Sequence, residues 1–240
     1  MPNRSSRRSG VPSRRRAAVG ATIAIAAAAL GVASASHLQA DIGAAPALVP
    51  NGFAFLQGTD TLFSDRWERS PTALTGTLTI TGQARIQYTI DLTPQETVTR
   101  MRLKVFQPTG PMTQPDQEAD AQFRGDSLVA IQRADGKADT VRRATPPGTI
   151  PYLPPSTALF EQIIRRAKTI GGATPTVSVH LLAQQGGAQT LAARVSYPAA
   201  DSAVVTFGEV PTSFHIAPDG TILGIPAPDP RVRVVRLTTP

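Results

Sequence analysis

Residues 74–106 read LTGTLTITGQARIQYTIDLTPQETVTRMRLKVF. Leu78 and Ile80 alternate with Thr77, Thr79 and Thr81. Ile86, Tyr88, Ile90 and Leu92 alternate with Gln87, Thr89 and Asp91, and Met101, Leu103 and Val105 alternate with Arg100, Arg102 and Lys104. An exchange of apolar and polar residues at every position is the period of a strand, whose side chains point to opposite faces in turn. Three such runs in succession predict an antiparallel meander. Its registers can be tested against each other, because one face must stay apolar across each pairing. A loop at Thr81–Gln83 pairs Ile80 with Ala84 and Leu78 with Ile86. A loop at Thr93–Glu96 then pairs Ile86 with Leu103 and Tyr88 with Met101. Both registers leave Thr77, Thr79, Arg85, Gln87, Arg100, Arg102 and Lys104 outside, giving a sheet with one dry and one wet face.

Downstream, turn chemistry marks further hairpins. Asp135-Gly136 separates Ser127–Ala134 from Lys137–Arg143, and Asp219-Gly220 separates Thr212–Ala217 from Thr221–Ile225. In the second hairpin Phe214, Ile216, Leu223 and Ile225 are expected on one face. Gln184–Gly187 joins Thr176–Ala183, with Val177, Val179 and Leu181 inward, to Ala188–Tyr197. Ser202–Phe207 and Arg231–Leu237 complete the strands, and the Val234-Val235 pair predicts a bulge or a doubly covered strand. One segment has a different period. From Ser156 or Thr157 as N-cap to Gly171-Gly172, Leu159, Phe160, Ile163, Ile164, Ala167 and Ile170 recur at helical spacing, with Glu161, Arg165, Arg166 and Lys168 between them. Proline-rich connectors occupy 107–115 and 146–155, the first belonging to an irregular stretch that extends to Ala121. The fold class expected is α+β and mainly antiparallel β, a large twisted sheet or half-barrel with one amphipathic helix.

Composition is compatible with that fold. Hydrophobic residues make up 41% of the 240, and the 22 prolines and 19 glycines fall short of the density of low-complexity disorder. Cysteine is absent, which excludes disulfides, thiolate nucleophiles and Cys-ligated metals. The net charge of +7 falls to +1 once Arg4, Arg7, Arg8, Arg14, Arg15 and Arg16 are set aside. A near-neutral body does not carry the phosphate-binding surface that nucleic-acid affinity requires. The arginines instead precede an uncharged apolar run, Ala17–Val32, and then Ala33-Ser34-Ala35. These are the three parts of a secretory signal, cut before Ser36. An uncleaved anchor over Ala17–Ala35 is the alternative. The Ser13-Arg14-Arg15 start leaves twin-arginine export open beside the general route. The expected organisation is a signal peptide over 1–35, a flexible segment over 36–50 and one β-rich domain over 51–240. A subdomain split, if present, would fall near residue 146. The released protein is expected to be periplasmic or extracellular and to lack a membrane span.

Catalytic spacings are missing: there is no G-x-S-x-G, H-E-x-x-H, G-x-x-x-x-G-K-[ST] or G-x-G-x-x-G. His180 and His215 both oppose apolar neighbours on their strands and are expected on the surface, not as metal ligands. Asp116-x-Glu118-x-Asp120 has the spacing of half a calcium loop, but Ala121 and Ser127 replace the required Gly and Glu, so it reads as a solvated acidic loop. Asp60, Asp65 and Glu68 interleave with Arg66 and Arg69 as surface ion pairs. Ser156 reads as a cap, since no base accompanies it, and the Arg85, Arg100, Arg102 and Lys104 row as a solvated face. No catalytic residue, metal site or cofactor is assigned.

The meander from Leu74 to Phe106 and the helix from Thr157 to Ile170, in this order, resemble the lipoprotein-carrier half-barrels of the bacterial envelope, the LolA type, and related exported β-proteins. The resemblance lies in element order, not in motifs, and only one helix is evident where a full lid uses more. It implies a curved sheet holding an acyl group under a helical lid. The leading expectation is thus a non-catalytic envelope protein that binds a lipid or other hydrophobic ligand, lined by Ile86, Tyr88, Met101, Leu103, Phe160 and Ile164. Alternatives are a structural or protein-interaction domain using the two proline-rich stretches to hold an envelope protein, and a hydrolase built from Asp60, Asp65, Glu68 or His180.

Overall fold

The alternating runs form strands within a few residues of where the pattern places them. A computed structural model describes residues 49–182, 189–227 and 229–237. The segment expected to be a signal peptide, most of the rest of the chain before residue 51 and the Gln184–Gly187 loop lie outside these residues. The large sheet is built from β1 (Val49–Gln57), β2 (Asp60–Arg69), β3 (Ala73–Ile80), β4 (Ala84–Leu92), β5 (Val98–Phe106), β6 (Gln117–Arg124), β7 (Ser127–Ala134) and β8 (Lys137–Ala144). After β9 (Ile150–Tyr152) and α1 (Thr157–Ile170) come β10 (Thr176–Leu181), β11 (Thr190–Ser196), β12 (Ser202–Phe207), β13 (Val210–Ile216), β14 (Ile222–Gly224) and β15 (Val232–Arg236). The strands divide between two sheets. Nine run in the order β15-β1-β2-β3-β4-β5-β6-β7-β8, and six form a smaller curled sheet, β14-β13-β12-β11-β10-β9. All pairings are antiparallel except β9 with β10. The change of sheet falls in the proline-containing connector 145–149, yet residues of both sheets and α1 share one buried apolar cluster.

The β3–β4 register is the expected one, with Ile80 opposite Ala84 and Leu78 opposite Ile86. The β4–β5 register is two residues away from the expected one: Ile86 faces Val105, Tyr88 faces Leu103 and Ile90 faces Met101. The loop is longer than the alternation suggests. Thr93 N–H bonds Thr97 C=O at 2.9 Å, Glu96 takes φ +57°, and the ladder shifts between Asp91 and Leu92. A two-residue slip preserves the face, so the apolar side is unchanged. Asp135 and Gly136 both have positive φ, 52° and 70°, as a type I′ turn requires. At Asp219-Gly220 a bulge between His215 and Ile216 offsets the pairing. It buries Ile222 in place of Leu223, which is 45% exposed.

Two further expectations are corrected. The acidic motif at 116–120 is not a loop: β6 begins at Gln117 and places Ala119 and Ala121 inward, with Glu118 and Asp120 outward. Alanine's weak strand preference hides this alternation. The last strand is a half-buried edge partner of β1 with no bulge at Val234-Val235.

Candidate functional site

Helix α1 begins where its cap predicts: Ser156 Oγ accepts from Leu159 N–H at 3.4 Å, and Gly171 closes the other end with φ +75° and a bond to Ala167 C=O. Not all of its polar positions face water. Glu161 and Gln162 are buried, because the helix lies between the two sheets. Asp65, expected in a surface ion pair, is fully buried beside the helix N-terminus. Its carboxylate accepts from Tyr88 Oη (2.8 Å), Ser156 Oγ (2.8 Å), Thr157 Oγ1 (3.2 Å) and Ala158 N–H (3.0 Å). Burial pushes its pKa up against the lowering effect of those bonds. Tyr88 reaches Asp65 only because position 76 carries no side chain, since a Cβ on Gly76 would overlap the phenol.

The rest of the helix is tied down in the same way. Glu161 accepts from Ile222 N–H (3.0 Å) and Asn51 Nδ2 (3.3 Å), and burial raises its pKa. The Trp67 indole N–H lies close to this carboxylate but completes no hydrogen bond. Arg69 pairs with Glu96 and donates to Gln162 Oε1 at 2.8 Å, while Arg165 reaches Asp219 at 2.6 Å. Groups held at both helix ends and along its length make α1 a fixed centre of the core, not a lid hinged at one end.

The other candidates are dispersed. Asp60 and Glu68 are exposed on β2. His180 lies in the smaller sheet with Nδ1 3.2 Å from Thr190 Oγ1. It is buried, contrary to expectation, because that face is covered by the connector, where Thr149 Oγ1 bonds Ser178 Oγ at 2.9 Å. Its pKa falls through burial and the charge of Arg143. His215 is exposed as expected. The hydrolase residues are therefore not brought together. No cluster of three metal-ligating side chains occurs among the described residues, and none of their helices is long and apolar enough to cross a membrane.

On the wet face the basic row is neutralised strand by strand: Arg100 with Asp120, Arg102 with Asp91 (2.6 Å) and Lys104 with Glu118 (3.5 Å). Arg85 donates to the carbonyls of Gln107 and Gly110. Open depressions of about 630 and 370 Å³ lie along this face, lined by polar side chains such as Glu68, Thr77, Gln87 and Arg133. Of the proline-rich stretches, 107–115 is largely exposed, whereas Ile150–Leu153 of the second is buried.

The dry face changes character along the sheet. Over β3–β5 it carries Leu78, Ile86, Ile90, Met101 and Leu103, all within the main core cluster. Of the six residues expected to line a ligand, Ile86, Tyr88, Met101, Leu103 and Ile164 are fully packed in this cluster, and Phe160 packs against it. Over β6 and β7 the same face carries the small residues Ala119, Ala121 and Ala130 with Phe123, Leu128 and Gln132, and on β8 it carries Val141 with the exposed charged residues Lys137, Asp139 and Arg143. Ala121, Leu128 and Ala130 form a cluster separate from the main one. These three strands contact their own sheet neighbours extensively but, among the described elements, have no extensive contact with α1 or the smaller sheet. Gln132 stands out here: it is 6% exposed, and neither its Nε2 nor its Oε1 finds a hydrogen-bond partner. Such an amide costs about 1–3 kcal/mol. Its parity with Leu128 and Ala130 was readable in the sequence; its lack of a partner was not.

Two sheets enclosing a single helix, with part of the larger sheet extending past the helix, define the class of this α+β protein. No protein-family model matches the sequence, and no curated protein matches it. Among solved structures it is similar to the crystal structure of a DUF1089 family protein from Pseudomonas aeruginosa, with a TM-score of 0.51 and 11% identity over 80% of this chain and 97% of that one. At that identity the likeness shows the fold alone.

Proposed function

We propose that this is an exported, non-catalytic protein that binds a lipid or other hydrophobic ligand. The observation that supports this reading is the apolar strip over β6 and β7, where Ala121, Leu128 and Ala130 form a cluster separate from the main core and neither α1 nor the smaller sheet packs extensively. An acyl group laid against this strip would gain roughly 25 cal/mol for each Å² of apolar surface removed from water. Export rests on the basic, apolar and A-x-A succession over residues 4–35.

The test is native mass spectrometry of protein purified from its own host, with displacement of N-phenyl-1-naphthylamine as a second readout. The expected result is a mature protein beginning at Ser36 that carries an apolar ligand, together with loss of dye binding in Ala130→Trp, which fills the strip. A consistently empty protein that binds no apolar probe would overturn the binding reading. Protein recovered with Met1 or Pro2 at its start would overturn cleavage.

A further inference from the structure

Strand β8 ends the nine-stranded sheet on the side away from β15, and among the described residues no strand pairs with its outer edge. Seven of its eight residues are exposed, and Val141, opposite Ala130 on β7, is half-buried. The ladder to β7 fixes which backbone groups are free. Thr145 N–H donates to Asp126 C=O at 2.8 Å, one step beyond the Ser127–Ala144 pair, so the odd-numbered residues of β8 bond inward. The N–H and C=O groups of Ala138, Thr140, Arg142 and Ala144 therefore point outward. One of them is capped, since Thr140 N–H donates to Asp139 Oδ1 at 2.8 Å. Charge on a long free edge blocks indiscriminate strand addition, and β8 carries Lys137, Asp139, Arg142 and Arg143. None of these four forms a salt bridge among the described residues.

We propose that β8 pairs antiparallel with β8 of a second copy of this chain, about a two-fold axis at Val141. Such an axis stands normal to the sheet and keeps the same face up in both copies, so one residue must lie opposite itself. Centring on Asp139 or Arg142 sets that charge against its like, and centring on Thr140 sets Lys137 against Arg143. Centring on Val141 opposes no like charges. Asp139 faces the second copy's Arg143, twice by symmetry, while Thr140 faces Arg142 and Ala138 faces Ala144. Val141 and the Asp139–Arg143 pairs then occupy non-hydrogen-bonded positions, where facing side chains come closest. Each even-numbered pair exchanges two backbone hydrogen bonds. Thr140 N–H passes from Asp139 to the C=O of the second copy's Arg142, and the Asp139 carboxylate is released to Arg143. Head-to-tail addition to the other free edge is opposed, because β15 carries Arg233 and Arg236 and no acid. The assembly is a closed dimer, not a fibre.

Sedimentation equilibrium of the mature protein tests this in the wild type, Asp139→Arg, Arg143→Asp and Thr140→Pro. One strand pairing makes a small interface, so a wild-type dissociation constant on the order of 10–100 μM is expected. Each charge reversal turns two attractive pairs into two repulsive ones and should weaken the dimer about tenfold or more. Mixed in equal amounts, the two reversal variants again oppose unlike charges at both places. The mixture should form heterodimers with a constant within about threefold of the wild type's. Thr140→Pro removes an outward N–H without breaking the ladder to β7 and should abolish dimerisation. Far-UV circular dichroism and thermal midpoints matching the wild type establish that the variants fold, and the reversal pair suffices if the proline variant does not. A wild type that stays monomeric at about 1 mM, reversal variants that dimerise as the wild type does, or a mixture that stays monomeric would each overturn the proposal. Growth beyond the dimer would overturn its closure.

Discussion

Replacing Asp65 by alanine removes the acceptor on which Tyr88, Ser156, Thr157 and the Ala158 N–H converge at 2.8–3.2 Å. Each donor left buried and unpaired costs about 1–3 kcal/mol, but the four do not simply add. The Ser156 and Thr157 hydroxyls can rotate, and losing the buried carboxylate relieves its own desolvation penalty. A net loss of roughly 3–5 kcal/mol is expected, which for a domain of this size lowers Tm by about 6–20 °C. Urea denaturation gives the value, with an unchanged m-value showing that the transition remains the same. Tyr88→Phe and the double variant complete a cycle. Because both groups belong to one buried contact, the double variant should be at least about 1 kcal/mol more stable than the sum of the single losses implies. A loss below about 1 kcal/mol for Asp65→Ala, or additivity in the cycle, would refute the reasoning that this carboxylate joins the large sheet to the helix.

Gly76→Ala should destabilise by about 2–4 kcal/mol in thermal denaturation, since its Cβ would overlap the Tyr88 phenol and lie 2.7 Å from the Arg66 carbonyl oxygen; a loss under about 1 kcal/mol would contradict the close approach. Burial holds Asp65 and Glu161 above their ordinary values of 3.8 and 4.5. Their contribution is therefore fully present below those values and lost as pH rises through the raised folded ones. Relative to the double variant Asp65→Asn/Glu161→Gln, the wild type should lose stability as pH rises above the ordinary carboxyl values, read from urea midpoints, and a wild-type advantage that grows with pH would reverse the sign. Arg102→Ala should change stability by less than about 0.5 kcal/mol, because its pair with Asp91 is 45% and 38% exposed. A larger loss by the same denaturation assay would mean that the wet face is structurally important.

Some of the candidate site was legible in the sequence. The Asp135-Gly136 turn marked β7 as Ser127–Ala134, and the helix carried its own start and stop in Ser156 and Gly171. The first two strands were not legible. Pro50, Gly52, inward Asp65 and Arg69, and a bulge at Phe55/Leu56 interrupt the alternation on which strand reading depends. The lining residues chosen from the sequence were apolar and inward, but apolar parity does not distinguish a wall packed by a helix from a wall facing a ligand.

The sequence by itself determined the meander, its dry face, the Asp135-Gly136 turn and the limits of α1. Each of these follows from backbone geometry and caps set by residues a few positions apart. Only the tertiary structure decided that the strands form two sheets, that α1 is enclosed on both sides, and that Gln132 has no partner. Those outcomes depend on contacts such as Asp65 with Ser156 and Asn51 with Glu161, which bring together residues 91 and 110 positions apart. Local periodicity contains no information about which distant surface arrives, and the free energy of burying a polar group is set by whether that surface brings a partner.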